Sequence, residues 1–125
     1  MVPHAGYPFD VMVCIGATDA EVERALKLRL DQPLTEEQRE KIQIAQRVGQ
    51  GRTVMLAGGQ TLLRVRRLKT PDDYGTLAHE VFHCVEFLFN RVGIRLVDES
   101  AEAYAYAIGN LTRRIYEEYQ KRGYR

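Results

Sequence analysis

Two histidines in the second half of the chain stand four residues apart, in the run 79–83 (HEVFH). An α-helix turns once in 3.6 residues, so side chains at positions i and i+4 lie on one face, about one turn apart. On a helix, His79 and His83 offer imidazole nitrogens to one point in space, and Zn²⁺ prefers such ligands at about 2.0–2.1 Å. Glu80 projects beside them and is suited to accept a proton from a metal-bound water. The spacing predicts a zinc site at His79 and His83, with Glu80 as general base.

A zinc site that performs chemistry normally has three protein ligands and one open position. Carboxylates occur early in the next predicted helix, at Asp98, Glu99 and Glu102. The connection between the two helices is short, so we expect them to pack antiparallel and to return the start of the last helix towards the metal. Glu102, nineteen residues after His83, is our first choice as third ligand. Glu99 is the reserve candidate and Asp98 the weakest.

Glu86 follows the second histidine by three residues. Zinc-bound imidazoles usually donate their other N–H to an acceptor, and Glu86 is suited to that role. It is equally suited to be a solvated surface residue. The sequence leaves both interpretations open.

The last two-fifths of the chain resembles a known class of enzyme. The arrangement looks like that of the gluzincin metallopeptidases, which use HExxH plus a glutamate from a following helix. This part of the chain also resembles small phage- and prophage-encoded proteins of minimal metallopeptidase type, in the segments TPDDYGTLAHEVFHCVEFLFNRVGI and DESAEAYAYAIGNLTRRIY. The length predicts a single domain over residues 1–125, and the resemblance, which says nothing firm about residues 1–50, implies that it is a minimal zincin-like one. The resemblance also implies Zn²⁺ held by His79, His83 and Glu102, a zinc-activated water, Glu80 as general base, and a peptide or protein substrate.

The chain departs from the longer gluzincins, among other features, in the group that would stabilise the oxyanion. They carry a separate downstream histidine for the oxyanion, whereas the third histidine here is His4, near the start of the sequence. Stabilisation of the transition state is then expected from another group, for which Tyr104 and Tyr106 are the candidates. Both tyrosines also fit an ordinary amphipathic packing stripe.

The missing oxyanion histidine leaves a second function open. The chain would then be a non-catalytic binding protein of phage or prophage origin, with a structural or vestigial zinc site. A DNA-associated regulator is a third and weaker interpretation. The charge is nearly balanced, with 18 Lys and Arg against 17 Asp and Glu, which gives no argument for a nucleic-acid partner.

The rest of the sequence predicts an α+β fold, in which a small sheet of one strand plus a hairpin packs with four helices. Three runs rich in apolar and β-branched residues are predicted as strands: 9–15, 53–57 and 61–67, with 58–60 (GGQ) as the hairpin loop. In the third strand Leu63 and Val65 alternate with Arg64 and Arg66, which predicts one buried and one solvated face. Either hairpin strand could serve as an edge that binds an extended peptide by strand addition.

Capping residues mark the helices. The four predicted helices span about 18–30, 35–48, 70–92 and 99–121, and the last two form the active-site pair. The third has the strongest start, because Thr70 is followed by a proline and two acids in the first turn. Gly93 is expected to end that helix, and Gly49 and Gly51 to end the second.

The remaining features concern the compartment. Cys14 and Cys84 lack CxxC spacing and lie in apolar runs, so we expect buried free thiols and a reducing environment. We find neither a signal-peptide pattern nor an apolar run of about 20 residues that a membrane span needs. These observations predict a cytoplasmic protein, in the host cytoplasm if phage-encoded. The sequence leaves the oligomeric state open.

Overall fold

The computed structural model describes residues 11–30, 32–47, 51–55 and 60–122. Three strands and four α-helices follow in the order β1 (Val11–Ile15), α1 (Asp19–Leu30), α2 (Glu36–Arg47), β2 (Gly51–Met55), β3 (Thr61–Val65), α3 (Pro71–Arg91) and α4 (Ala101–Lys121), with a 3₁₀ turn at Asp98–Ser100. The α+β fold of a strand, a hairpin and four helices is confirmed. Part of the first predicted strand, the end of the second helix and most of the hairpin loop lie outside the described residues.

The three strands form a mixed sheet in the order β1-β3-β2. β3 is central, because it pairs parallel with β1 and antiparallel with β2. Leu63 sits in the middle of the sheet, opposite Val13 on one side and Thr53 on the other. Of the two hairpin strands, β2 is therefore an edge of the sheet that the described residues form, and β3 is not. Gly51, predicted to help end α2, is the first residue of β2.

Helices cover both faces of the sheet. On one face Val11, Val13, Leu63 and Val65 pack with α3 and α4. On the opposite face Met12, Cys14 and Leu62 pack with residues of α1 and α2, and Leu34 between them. Since successive side chains of a strand point to opposite faces, β1 and β3 each contribute to both cores. Both cysteines are free and buried, as predicted.

This layering overturns the prediction of a solvated face on β3. Arg64 lies on the face covered by α1 and α2 and is only 6% exposed. Its guanidinium donates to Asp19 Oδ1 and the Ala17 carbonyl, both at 2.6 Å, and to the Ile42 carbonyl at 3.1 Å. A buried charge is stable only when paired and hydrogen-bonded, and these acceptors meet that requirement. Arg66, beyond the end of β3, is exposed.

The start of α3 is held by the predicted capping residues. Thr70 Oγ1 accepts from the Asp73 N–H, while the Asp73 carboxylate accepts from the N–H groups of Lys69 and Thr70. Arg66 Nε also donates to Asp73, at 2.8 Å, which ties the helix to the end of β3. At the other end Gly93 has a φ of 81°, where glycine is favoured, and terminates the helix as expected.

Candidate metal centre

The two histidines of the HEVFH run meet on the outer side of α3. Their Nε2 atoms lie 3.2 Å apart and their ring centroids 4.8 Å apart. His79 is exposed and His83 partly exposed, so the pair is open to solvent. The helix that positions them has its apolar side against the sheet and α4, which fixes the outward direction of the imidazoles.

The distance between the two nitrogens matches a tetrahedral zinc site. Two nitrogens at about 2.0–2.1 Å from one ion, at the tetrahedral angle, lie about 3.3 Å apart. The 3.2 Å between the Nε2 atoms of His79 and His83 is a hydrogen-bonding distance between the two rings, and it is also close to this separation. As a donor set, two imidazole nitrogens suit zinc better than the harder cations that prefer oxygen.

Glu86 lies beside the second histidine. Its Oε1 is 3.1 Å from His83 Nδ1, one helical turn along α3. With the ring proton on Nδ1 and directed at this carboxylate, Nε2 of His83 is left as a lone-pair donor. The contact fits a residue that orients a metal-binding imidazole, and that role of Glu86 stays a prediction.

Glu80 occupies a different side of α3, against β2. Its side chain is buried, with 7% exposure, and Oε1 accepts a hydrogen bond of 2.7 Å from Thr53 Oγ1. Cys84, one turn further along, is fully buried, and burial raises the pKa of its thiol well above the ordinary range. The carboxylate is therefore held against the edge strand, on a side of α3 other than that of the histidine pair.

The predicted third ligand does not join this pair. Glu102, Glu99 and Asp98 are all exposed at the start of α4 and in the turn before it. Among the described residues, no group of three or more His, Cys, Asp or Glu side chains is placed to hold a metal ion. Ligation by Glu102 therefore stays a prediction.

The register of the two helices explains this separation. The Phe89 ring packs on Tyr104 at 4.7 Å, and Tyr74 packs on Tyr116 at 5.9 Å, so α3 and α4 are antiparallel, as expected. His83 precedes Phe89 by six residues, and Glu102 precedes Tyr104 by two. Because the helices are antiparallel, these two offsets run in opposite directions and add up to eight residues. At 1.5 Å per residue, the two side chains differ by about 12 Å along the helix axes.

The two tyrosines proposed for transition-state stabilisation differ in environment. Tyr104 is buried, and its hydroxyl donates to the Ile94 carbonyl at 2.9 Å, so its proton is used within the α3–α4 connection. Burial, together with the nearby negative charge of Glu86, raises the pKa of that hydroxyl. Tyr106 is 76% exposed on the outer side of α4. Neither arrangement assigns a catalytic role, which remains a prediction for both residues.

Thr53 is the member of this site that the sequence did not reveal. It is 27 positions from Glu80 in the chain, and a threonine in a predicted strand is unremarkable. The sequence signal that could have pointed to Thr53 is that a predicted hairpin is followed directly by the predicted helix that carries Glu80. Which residue of the hairpin contacts Glu80 depends on how the strands pair and how the helix packs on them, and the order of the elements alone does not show this.

A separate cavity lies elsewhere in the molecule. It has a volume of about 250 Å³ and lies at the carboxyl end of β1, between α1 and α4. Its polar lining includes Glu21, Glu118 and Arg122. None of the predicted site residues lines this cavity, so it is distinct from the histidine pair.

Comparisons of this chain with protein-family models, with curated proteins and with solved structures find no match. The resemblance to gluzincins thus rests on the HExxH motif and the following glutamate alone. In the part of the chain that the structure describes, none of the helices has the length and apolar character required to cross a membrane.

Proposed function

We propose that this protein is a zinc-dependent hydrolase that cleaves peptide bonds, with His79 and His83 as two of the metal ligands and Glu80 as general base. The observation that carries the proposal is the 3.2 Å separation of the two Nε2 atoms, which fits the separation of two nitrogens on one tetrahedral zinc ion. The Glu86 contact with His83 Nδ1 supports it, because it leaves Nε2 available to a metal.

The chemistry divides between the metal and the carboxylate. Bound zinc supplies a Lewis acid that lowers the pKa of a water and polarises a carbonyl. Glu80 accepts a proton from the water while the oxygen of that water bonds to the carbonyl carbon. It then returns that proton to the amine nitrogen as the C–N bond breaks. A largely buried carboxylate between the histidine-bearing helix and an edge strand is suited to this exchange.

The substrate in this proposal is a peptide or protein segment in extended form. β2 is an edge of the described sheet, and its Thr53 contacts Glu80 directly. A peptide added along that edge would pass beside the general base, with main-chain hydrogen bonds providing affinity. The two free buried thiols fit a reducing compartment, so we propose action in the cytoplasm, of the host if the protein is phage-encoded.

The third ligand remains part of the proposal. Glu102 would have to approach through a shift of the start of α4, where the 3₁₀ turn and the exposed connection precede the helix. Elemental analysis of zinc per chain in Glu102→Ala and Glu99→Ala tests this. Loss of zinc in the first variant alone supports Glu102, and loss in the second alone assigns Glu99. Full retention in both would place the third ligand outside these carboxylates.

The decisive experiment pairs metal content with turnover. We expect about one zinc per chain in the wild type and hydrolysis of a fluorogenic peptide library. Glu80→Gln should keep the zinc and lower kcat by about 10²- to 10⁴-fold, the usual contribution of a general base. Glu117→Gln, which alters an exposed glutamate of α4 paired with Arg113, is the matched control and should change neither quantity.

A second function has one observation in its favour. The described residues assemble two imidazoles but no third metal ligand around them. This fits a non-catalytic binding protein with a structural or vestigial zinc site. In that case Glu80→Gln would change nothing measurable, and zinc-loaded wild-type protein would hydrolyse no peptide of the library.

A further inference from the structure

The contact between Thr53 and Glu80 joins two elements that come together only in the folded protein. Thr53 lies in the middle of β2 and Glu80 in the middle of α3. Both side chains are more than nine-tenths buried. Thr53 Oγ1 is 2.7 Å from Glu80 Oε1 and 3.1 Å from the Glu80 backbone carbonyl. The hydroxyl thus faces both the carboxylate and the main chain of one residue.

A threonine hydroxyl has one proton to donate, and the carboxylate is the stronger acceptor. The shorter of the two distances is also the one to the carboxylate. Oε1 is therefore the oxygen that the hydroxyl engages. The Thr53 hydroxyl thus holds one oxygen of the Glu80 carboxylate in place.

The backbone of β2 allows this contact because glycine stands two residues before Thr53. A Cβ at Gly51 would lie 2.7 Å from Thr76 Cγ2 and 3.2 Å from Glu80 Cγ. Both distances are shorter than ordinary van der Waals contact, so a side chain at this position would push the strand and the helix apart. The absence of one lets β2 approach α3 within hydrogen-bonding distance.

We propose that Thr53 is a positioning residue for Glu80, whose hydroxyl holds the carboxylate against β2 through Oε1. This inference rests on the proposed function. The edge strand that is proposed to bind the peptide thereby also fixes the general base. The strand β2 would therefore position both the bound peptide and the Glu80 carboxylate.

The test compares three variants as zinc-loaded, full-length proteins. Thr53→Val keeps the β-branched shape and removes the hydroxyl, whereas Thr53→Ser keeps the hydroxyl. Thr61→Val is the matched control, since Thr61 is a buried threonine of the neighbouring strand, opposite Met55. For each we would measure kcat and KM on one peptide and determine the crystal structure.

We expect Thr53→Val to lower kcat by about 10- to 100-fold, part of the usual general-base contribution, with KM within about twofold of the wild type. In its crystal structure the Glu80 carboxylate should leave its place against β2. Thr53→Ser should restore kcat to within about threefold, and Thr61→Val should match the wild type.

Three results would overturn the inference. In the first, Thr53→Val is as active as the wild type. In the second, Thr53→Val loses activity while the Glu80 carboxylate stays in its place against β2. A Thr53→Ser variant that fails to restore kcat counts as the same kind of result. In the third, the wild type itself shows no turnover, which overturns the proposed function and, with it, the catalytic meaning of the contact. The first two leave the wild type active, so the failure of this inference is distinguishable from the failure of the function.

Discussion

Substitution of Gly51 by alanine tests the close approach of β2 to α3. The added Cβ would lie 2.7 Å from Thr76 Cγ2, 3.0 Å from Val65 Cγ1 and 3.2 Å from Glu80 Cγ. Thr76 cannot rotate away freely, because its side chain is β-branched and its hydroxyl donates to the Asp72 carbonyl at 3.0 Å. Overpacking of this kind typically costs about 1–3 kcal/mol. We therefore expect Gly51→Ala to lower the free energy of unfolding by that amount.

A second glycine provides a control in which the free energy of unfolding should rise instead of fall. Gly75 lies in α3, and a Cβ built there meets nothing within 4 Å. Gly75→Ala should raise the free energy of unfolding by about 0.5–1 kcal/mol, because glycine costs that much in the interior of a helix. Both values are measurable by urea denaturation followed by circular dichroism, provided that the slope of the transition is unchanged.

A double variant identifies the cause. Thr76→Ser removes the methyl group that clashes most and keeps the hydroxyl that bonds to Asp72. Combined with Gly51→Ala, it should recover part of the lost stability, so that the two changes are not additive. A Gly51→Ala protein as stable as the wild type would refute the reasoning. So would a loss that Thr76→Ser leaves untouched.

Two further predictions concern charge. Glu86→Gln should weaken zinc binding by about 10- to 100-fold, because His83 would be less well oriented. Competition with a chromogenic chelator measures this affinity. Zinc binding equal to that of the wild type would contradict the role given to Glu86. The second concerns Asp73, whose pKa lies well below its usual range because Arg66 and the N–H groups of Lys69 and Thr70 donate to the carboxylate. The stability from a depressed carboxyl pKa is present above the unfolded value of about 3.9 and is lost as the pH falls towards the folded value. The difference in unfolding free energy between wild type and Asp73→Asn should therefore shrink from about pH 5 to about pH 2 in denaturant titrations, and a difference independent of pH would contradict this account.

The parts of the molecule that could be predicted from the sequence are those with local causes. Thr70 and Asp73 cap α3 within a single turn, and Gly93 ends the helix through its own backbone conformation. The meeting of His79 with His83 follows from helical spacing alone. In each case the interacting groups are at most four residues apart, so the sequence contains the whole interaction.

The parts that could not be predicted depend on how distant elements meet. Arg64 looked solvated because alternation in a strand cannot show that α1 and α2 cover its face. The level of Glu102 relative to the histidines depends on which residues of α3 and α4 pack together, and that register is set by the ring contacts of Phe89 and Tyr74. Thr53 was missed for the same reason, since its partner lies on another element.

The parallel pairing of β1 with β3 has a consequence for how the chain acquires this structure. Val13 lies opposite Leu63, fifty residues further along, with α1, α2 and β2 in between. The entropy of closing so long a segment must be offset before the pairing contributes any stability, which slows folding. During synthesis β1 emerges well before its partner strand exists, and it is an apolar run of five residues, VMVCI. Its exposed backbone is then open to pairing with other chains, so the yield of folded protein should depend on how quickly α1 and α2 shield that strand.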